Sequence, residues 1–329
     1  MVEYKHIVKE FIFEEDRPFP SCHASTLEVL PGGEIIAAWF GGTAEKAGDV
    51  AIWVSRRNLE GWTAPVKAAD REGVPHWNPV LFLRPDGVLQ LYYKVGHSIA
   101  EWVTMVMYSE DQGITWSEPV QLVEGDAGGR GPVKNKPILL HDGTIAAPAS
   151  LEPAWDCFVD LSLDGGTTWH RSETVPIDHS RLRGKGIIQP ALWESVPGNV
   201  HMLTRSTEGE IYRSDSADGG RTWCEAYATE LPNNNSGIDL AKLDSGVLAL
   251  VYNPVRTEEG KKKGPRTPLV LRLSEDNGRT WKQELKLDEG IKQYSYPAIV
   301  ARGSDLYITY TWRRERIAFY HIRLSEAVS

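Results

Sequence analysis

Cysteine is scarce in this chain of 329 residues. The three cysteines, Cys22, Cys157 and Cys224, lie far apart and form no CxxC pair, so the sequence predicts neither a disulfide framework nor a cysteine metal site. The nine histidines show no HxH or HxxxH spacing either. We therefore expect no catalytic transition metal and no cofactor.

Long apolar runs are also missing from the sequence. No segment approaches the roughly 20 apolar residues needed to span a bilayer. The N-terminal stretch MVEYKHIVKEFIFEED carries charges every two or three positions instead of the apolar core of a signal peptide. The sequence therefore predicts a cytoplasmic protein without a membrane partner, although a secreted protein whose leader had been removed would give the same pattern.

Basic residues are outnumbered, with 36 Lys and Arg against 45 Asp and Glu and a formal net charge of -9. A negative surface repels phosphate backbones, so we expect no nucleic-acid partner. What the chain does have is 12 Trp, 30 Gly and 20 Pro. This composition favours many short strands that are joined by specified turns.

One octapeptide, Ser-x-Asp-x-Gly-x-Thr-Trp, occurs four times, at residues 109–116, 162–169, 216–223 and 274–281. Successive copies begin 53, 54 and 58 residues apart. A degenerate copy, which keeps only Ser55, Gly61 and Trp62 of the motif, begins at Ser55. A short Asp or Ser side chain accepts backbone hydrogen bonds in a tight turn, Gly takes a positive φ, and Thr-Trp resumes a strand. Six units of about 54 residues therefore fill the chain.

Each unit has the same internal pattern, as in NPVLFLRPDGVLQLYYK followed by EWVTMVMYSED. This pattern indicates strand, turn, strand, loop, strand and then the octapeptide hairpin into a fourth strand. Four antiparallel strands per unit form the blade of a β-propeller. The sequence thus predicts an all-β, six-bladed β-propeller as a single domain over residues 1–329, with residues 4–13 supplying the outer strand that closes the ring.

The octapeptide resembles the Asp-box, or BNR repeat, of the sialidase (neuraminidase) superfamily, and the resemblance extends over essentially the whole chain. It implies the six-bladed sialidase propeller. The repeated Ser, Asp and Trp residues are interpreted as structural, because Asp-boxes also occur in propellers of other chemistry.

A ligand site is expected where the first strand of each blade begins. Aligned on these strands, the units agree in their apolar ends but differ in their polar starts. Such divergence on a uniform scaffold is typical of a site at the mouth of a propeller. The alternative to a ligand site is that these residues are polar only because the mouth of the propeller is exposed to water.

The resemblance assigns candidate anion-binding residues by position. The arginine that begins the first blade of sialidases is replaced here by His23. The second family arginine corresponds to Arg205 in HMLTRS, and the third to Arg266 in RTPLVLRLSEDNG. Two of the three positions that bind a substrate carboxylate are therefore matched, whereas His23 lacks the bidentate guanidinium.

The catalytic positions of the resemblance can be placed in the same way. The nucleophilic tyrosine corresponds to Tyr296 in KQYSYPAIV, with Tyr294 as a neighbour on the same face of the strand. The acid/base aspartate corresponds to Asp49. The glutamate that takes the tyrosine proton is replaced by Gln189, which is not a base.

Further polar and aromatic residues at blade starts or strand ends are candidate substrate contacts, with inter-blade packing or an ordinary strand end as the alternative for the tryptophans. They are His76, Trp77, Asn78, Lys94, Lys136, Asn253 and Trp312. The charged run at residues 258–266 is interpreted as a solvated loop, with only Arg266 assigned to the site.

Three functions remain open from the sequence. The first is an exo-glycosidase of sialidase type that hydrolyses an acidic glycan, with Tyr296 as nucleophile. The second is a lyase that performs β-elimination at a uronic acid linkage, with His23 or Tyr296 as base and Arg205 neutralising the carboxylate. The third is a carbohydrate-binding propeller without catalysis. In each case the expected partner is an acidic oligosaccharide, and the protein is expected to be a monomer or a weak homo-oligomer.

Overall fold

The computed structural model describes residues 2–258 and 260–326, and over these residues the chain forms 25 strands in six sheets and one short 3₁₀ helix. The fold class predicted above, an all-β six-bladed propeller, is confirmed. Residues 1, 259 and 327–329 of the predicted domain lie outside the described part of the chain. No described helix is long and apolar enough to cross a membrane.

The strands follow one another blade by blade. The N-terminal strand is β1 (Val2–Phe11), and the first blade has β2 (Ser21–Val29), β3 (Ile35–Gly42), β4 (Ala51–Asn58), β5 (Gly61–Trp62) and β6 (Val66–Ala69). The second blade has β7 (His76–Leu83), β8 (Leu89–Val95), β9 (Val103–Ser109) and β10 (Val120–Gln121). The third has β11 (Ile138–Leu139), β12 (Ile145–Leu151), β13 (Asp156–Ser162) and β14 (His170–Arg171), followed by the 3₁₀ helix (His179–Arg181).

The remaining three blades complete the ring. The fourth has β15 (Ile187–Glu194), β16 (Val200–Ser206), β17 (Glu210–Ser216) and β18 (Tyr227–Pro232). The fifth has β19 (Asp239–Lys242), β20 (Leu248–Tyr252), β21 (Leu269–Ser274) and β22 (Lys282–Asp288), and the sixth has β23 (Tyr294–Arg302), β24 (Asp305–Trp312) and β25 (Arg316–Glu326). Strand β1 pairs antiparallel with β25 as the outer strand of the sixth sheet, so the first and last strands of the described chain share one blade.

The Asp-boxes form the tight turns that the sequence predicts. In the last copy, Asp276 Oδ1 accepts the backbone N–H groups of Arg279 at 3.1 Å and Thr280 at 2.8 Å. Ser274 Oγ accepts the N–H of Gly278 at 2.9 Å. Because these bonds span only four residues, the motif folds each turn locally and leaves the blade interior to be determined by packing.

The core lies between neighbouring blades. Between the fifth and sixth blades, for example, Leu271 and Ile308 belong to one apolar cluster and are fully buried. Apolar residues on the faces of each sheet thus pack against the next sheet, and burial of this surface stabilises the ring. The innermost strands are β2, β7, β11, β15, β19 and β23.

Candidate active site

The first strands of four blades begin with the same backbone distortion. Their pairing register shifts at the start, and one residue there has a positive φ: Ala24 (54°), Asn78 (40°), Gln189 (56°) and Tyr296 (54°). Such a β-bulge redirects a side chain, and left-handed non-glycine residues cost of order 1–3 kcal/mol. The bulges lie at the end of the ring where the inner strands begin, which we call the site mouth.

Tyr296 is the centre of the site mouth. Its side chain is only 9% exposed, and Arg205 Nη1 donates a 2.8 Å hydrogen bond to its hydroxyl oxygen. The guanidinium of Arg266 lies 5.2 Å from the centre of the Tyr296 ring. Three residues that the sequence separates by 30 to 91 positions are thus brought together.

The electrostatics of this cluster favour ionisation of the phenol. Burial raises the pKa of Tyr296, but the charges of Arg205 and Arg266 together outweigh it, so the pKa lies below its ordinary value. Burial also lowers the pKa of Arg266, to about 10. The site therefore concentrates positive charge around a buried tyrosine.

Gln189 connects this cluster to a carboxyl group that the sequence analysis missed. Its Oε1 accepts a 3.3 Å hydrogen bond from Arg205 Nη1, while its Nε2 donates a 3.1 Å bond to Glu152 Oε1. Glu152 is 8% exposed, and burial raises its pKa despite the opposing charge of Arg205. Glu152 immediately follows β12, so it lies at a strand end as the candidates Lys94 and Asn253 do.

His23 lies against the tyrosine instead of extending a charge toward a ligand. The two ring centres are 4.2 Å apart, and His23 Nδ1 lies 2.8 Å from Thr311 Oγ1. Burial lowers the pKa of His23 well below its ordinary value, and nearby arginines add to the effect. His23 is therefore a neutral imidazole near pH 7 and provides no positive charge for binding an anion.

The floor under Tyr296 is formed by Lys134 and Gly237. Lys134 Nζ donates to the carbonyl oxygens of Ile238, at 3.0 Å, and of Pro297. Burial lowers the pKa of Lys134 to about 7, although Asp239 opposes the shift. A Cβ on Gly237 would lie 3.1 Å from Lys134 Cε and 3.4 Å from Tyr296 Cδ2, so glycine permits this close packing.

Two loop residues at the site mouth have no assignment from the sequence. Trp155, which is partly exposed, lies with its ring centre 5.5 Å from the Arg205 guanidinium. Lys263 is exposed, and partial desolvation together with the charges of Arg266 and Arg205 lowers its pKa. Trp155 offers an aromatic surface, and Lys263 adds a cation near the two arginines.

The described part of the charged run at residues 258–266 exposes Lys261, Lys262 and Lys263, as expected of a solvated loop, and its backbone is also bonded to the site mouth. Asn235 Oδ1 accepts the 2.7 Å bond from Arg205 Nε, and Asn235 Nδ2 donates to the carbonyl oxygen of Lys262 at 2.8 Å. The loop is thereby attached to the residue that orients Arg205. The interpretation from the sequence used only charge and did not include the bond from Asn235, 27 residues before Lys262.

Asp49 lies on an exposed loop that leaves β3 at the site mouth. Its Oδ2 accepts hydrogen bonds from Thr43 Oγ1 at 2.6 Å and from the Thr43 N–H at 2.9 Å. The hydroxyl bond is the largest cause that lowers the pKa of Asp49. In this conformation the carboxyl group is ionised and bonded within its own loop.

Tyr294 does not share a face with Tyr296, and that expectation is wrong. The bulge between Ser295 and Ala298 interrupts the alternation of the strand. The Tyr294 ring is 1% exposed within the core between the last two blades, and its hydroxyl accepts from Arg313 Nε at 3.2 Å.

Two other candidates at strand ends also have structural partners. Asn253 Nδ2 donates to the carbonyl oxygens of Pro268 at 2.7 Å and Tyr294 at 2.9 Å. The partly buried Trp312 packs against Arg313, whose guanidinium lies 4.1 Å from its ring centre. These contacts place both side chains away from the hydroxyl of Tyr296, in the packing of the last blades.

Lys136 turns toward the opposite mouth, where the inner strands end. Its Nζ donates to both carboxylate oxygens of Asp239, at 3.2 and 3.0 Å. Together with Glu28 and Arg302, it lines a cavity of about 600 Å³ there. The alignment that placed Lys136 beside Tyr296 did not account for the short inner strand of the third blade, which begins only at Ile138.

The candidates of the second blade are buried. His76 Nδ1 lies 2.9 Å from the Val74 carbonyl oxygen, Trp77 Nε1 donates to the Gly96 carbonyl oxygen at 2.9 Å, and Asn78 Nδ2 donates to that of Val133 at 2.9 Å. Trp77 also packs on Trp102, as its inter-blade alternative predicted.

Lys94 is fully buried at the end of β8, the second strand of the same blade. Its Nζ donates to Thr104 Oγ1 at 2.5 Å and to the Arg130 carbonyl oxygen at 2.8 Å. Burial lowers the pKa of Lys94 to about 8, although nearby carboxylates oppose the shift.

No cluster of metal-binding side chains is present among the described residues. A family profile described as BNR repeat-like domain matches residues 33–308, which is most of the chain. The chain belongs to the BNR repeat-like domain family. This BNR repeat-like protein is a member of the sialidase superfamily, as the Asp-boxes indicated.

Similar proteins are known by sequence and by structure. A sialidase of Clostridium perfringens is 29% identical over 96 residues, covering 23% of this chain and 24% of that protein. A sialidase of Paraclostridium sordellii is 28% identical over 149 residues, covering 39% of this chain and 33% of that protein. The matches thus span about a quarter to a third of these relatives.

The solved structure of Hadza microbial sialidase Hz136 superposes with a TM-score of 0.79 at 18% identity and covers 96% of this chain and 68% of that one. At this identity the similarity establishes the shared fold of the BNR repeat-like protein and not its chemistry.

Proposed function

We propose that this BNR repeat-like protein is an exo-glycosidase that removes an acidic sugar from the non-reducing end of a glycan. The contact that carries the proposal is the hydrogen bond between Arg205 and the hydroxyl of Tyr296, with Arg266 over the same ring. An anionic substrate repels a carboxylate nucleophile, whereas a tyrosine beside two guanidinium groups tolerates the same charge.

In the proposed reaction, Arg205 and Arg266 bind the carboxylate of the substrate. Tyr296 Oη reacts as the phenolate that the two guanidinium groups favour: it bonds to the anomeric carbon while the bond to the leaving oxygen breaks, and Asp49 gives that oxygen a proton. Water then attacks the same carbon and displaces the phenolate of Tyr296, while Asp49 takes the proton of the water. Because Asp49 is ionised when bonded to Thr43, this role requires that the carboxyl group first leaves Thr43 and becomes protonated.

A lyase is the second candidate, favoured by His23 and Gln189. His23 is a neutral imidazole beside Tyr296, which suits a base, and Gln189 stands where a hydrolase of this type has a carboxylate. In β-elimination at a uronic acid, the base removes the proton next to the carboxylate, a carbon–carbon double bond forms, and the glycosidic bond breaks. The leaving oxygen takes up a proton, and Arg205 neutralises the carboxylate.

The two reactions are distinguished by their products. The protein is incubated with aryl sialosides and with uronic-acid oligosaccharides, and both reducing-end release and the ultraviolet absorbance of an unsaturated uronate are followed. Hydrolysis of a sialoside without that absorbance supports the glycosidase, and the absorbance selects the lyase. Sugar binding without either product would refute both and leave a carbohydrate-binding propeller.

The chain offers a matched pair of variants for this assay. Tyr296→Phe is expected to abolish turnover because it removes the proposed nucleophile. Tyr294→Phe removes the hydroxyl of a buried tyrosine two residues earlier, whose partner is Arg313, and is expected to retain turnover. Equal loss in both variants would contradict the assignment of Tyr296.

A further inference from the structure

One ion pair joins the loop of Asp49 to the last blade at the site mouth. Arg314 Nη1 donates to Glu45 Oε2 at 2.8 Å, although the two residues are 269 positions apart in the chain. Glu45 belongs to the same loop as Asp49, and Arg314 lies in the turn between β24 and β25. The side chains of Arg314 and Glu45 are 24% and 38% exposed, so water reaches the pair. The reaction proposed above uses neither residue.

The backbone of Arg314 is fixed beside the start of the first blade. Its carbonyl oxygen accepts the N–H of Cys22 at 3.0 Å. Cys22 precedes His23, whose ring centre lies 4.2 Å from that of Tyr296. Burial is the main cause that lowers the pKa of His23, and the charge of Arg314 is the largest of the charges that add to it. Arg314 is thus a cation close to the position where His23 provides no charge.

Glu45 brings a carboxylate to the cations of the site mouth. Burial is the main cause that lowers the pKa of Arg266, and the charge of Arg314 adds to this effect whereas that of Glu45 opposes it. Glu45 also opposes the lowering of the pKa of Lys263. A carboxylate that is held by one guanidinium among further cations has the surroundings that the carboxylate of an acidic ligand requires.

The Glu45 carboxylate can be replaced by another carboxylate at little cost. An exposed ion pair contributes little to stability, because both ions are well hydrated when apart and pairing restricts two long side chains. The structure gives Glu45 a hydrogen bond from one guanidinium. A ligand carboxylate at the same place would be free of the loop and could approach Arg266 as well as Arg314.

We propose that Arg314 is a specificity-determining residue of the site mouth, which binds the carboxylate of an acidic sugar in exchange for Glu45. The exchange breaks the tie between residues 43–49 and the last blade. Asp49 has to leave Thr43 before it can act as the acid, so the exchange couples binding of the ligand to that movement. The proposal rests on the proposed function in taking an acidic sugar as the ligand.

Calorimetric titrations with N-acetylneuraminic acid, D-glucuronic acid and their methyl esters test the exchange. Glu45→Gln removes the competing carboxylate, so this variant is expected to bind an acid about two- to fivefold more tightly, the range that an exposed ion pair corresponds to. Arg314→Gln removes the cation and is expected to bind the same acid about tenfold more weakly. The esters should bind both variants as they bind the wild type. A response of the acid in one variant only, in neither, or in the same direction in both would overturn the proposal.

Glu14→Gln is the matched control. Glu14 Oε2 accepts from Arg316 Nη1 at 3.0 Å, in an ion pair of similar length. Arg316 follows Arg314 by two residues, but its guanidinium lies 3.9 Å from the ring centre of Phe11, the last residue of the outer strand β1. Glu14→Gln is expected to bind acids and esters as the wild type does, and tightening equal to that of Glu45→Gln would overturn the proposal. If Arg314→Gln does not fold, Arg314→Lys keeps the charge without the planar fork, and wild-type affinity for the acids in that variant would count against the proposal.

Hydrogen exchange of the Thr43 N–H tests the release of the loop, because this group donates to Asp49 Oδ2 at 2.9 Å. Either acid is expected to speed this exchange in the wild type, and Glu45→Gln should show the faster exchange without ligand. Binding of an acid without faster exchange would overturn the coupling to Asp49.

The failure of this proposal differs from the failure of the proposed function. Opposite responses of Glu45→Gln and Arg314→Gln in a protein that turns over no acidic glycan would retain the role of Arg314 and remove the glycosidase. Turnover with unchanged affinity in both variants would do the reverse. If neither acid binds to the wild type or to Glu45→Gln, the exchange at Arg314 is refuted.

Discussion

Replacing Arg205 by lysine is the sharpest test of anion binding at the site mouth. Arg205 is 5% exposed and donates to Asn235 at 2.7 Å, to Tyr296 at 2.8 Å and to Gln189 at 3.3 Å. A lysine keeps the charge but has one nitrogen and no planar fork, so it cannot hold these partners and a carboxylate together.

The expected loss can be estimated from the hydrogen bonds. If the substrate carboxylate takes one guanidinium bond that lysine cannot replace, the loss is about 1.5 kcal/mol, since hydrogen bonds to charged groups contribute roughly 1.5–3 kcal/mol. Because 1.4 kcal/mol is tenfold in a dissociation constant, Arg205→Lys should bind an acidic sugar about tenfold more weakly. The methyl ester of the same sugar should bind almost unchanged.

Calorimetric titration with the acid and its methyl ester measures this difference. Arg213→Lys is the matched control, because Arg213 is a buried arginine of the same blade whose Nε donates to Asp215 at 2.9 Å and whose Nη1 donates to the Asn277 carbonyl oxygen at 2.8 Å. It should lose stability without losing selectivity for the acid. Equal weakening of acid and ester by Arg205→Lys would refute the reasoning and make Arg205 a structural residue.

Three further outcomes are expected. Thr43→Val removes the 2.6 Å bond to Asp49, so the pKa of Asp49 should rise and the alkaline limb of the pH–rate profile should move to higher pH; an unmoved limb would exclude Asp49 as the acid. Gly237→Val should reduce turnover and cost about 1–3 kcal/mol in unfolding free energy through overpacking beneath Tyr296, so full activity would contradict the assigned floor. The pKa values of Asp218 and Asp276 fall from 3.8 to about 2 in the fold, so denaturant titrations should show stability lost as pH drops from about 4 to 2.

The acid effect has a defined sign and a control. A carboxyl group whose pKa is lower in the folded state binds fewer protons there than in the unfolded chain, so its contribution is fully present above its ordinary pKa and disappears below the folded value. Asp276→Asn should flatten the dependence on pH in that window. An identical slope in wild type and variant would mean that other carboxyl groups cause the acid loss.

Much of the architecture was accessible from local sequence. The turn around Asp276 is formed by bonds to residues three and four positions away, so its chemistry is visible in eight letters. Repetition of that turn at a nearly constant spacing then implied the number of blades. The assignments of Tyr296 and Arg205 came from the resemblance to the sialidase superfamily, by their positions at a blade start and a strand end.

The errors arose where position along a strand did not determine direction. A two-residue alternation puts Tyr294 and Tyr296 on one face, but the bulge at Tyr296 separates them. Lys136 was aligned with Tyr296 at the blade starts, yet its ammonium group is paired with the carboxylate of Asp239, 103 residues later. Glu152 was overlooked although it follows a strand, because its contact with Gln189, 37 residues away, exists only in the folded chain.

The number of blades was therefore encoded in short-range turn chemistry, which depends on neighbours in the chain, and the alignment of the repeated units gave the place of the site. The identity of the site depended on bonds across the ring, such as the one between Arg205 and Tyr296, 91 residues apart. Such contacts exist only after the blades close, since burial and charge then select which polar side chains face the mouth and which are paired within the core. The tertiary structure thus distinguished Tyr296 from Tyr294 and brought Glu152 to Gln189.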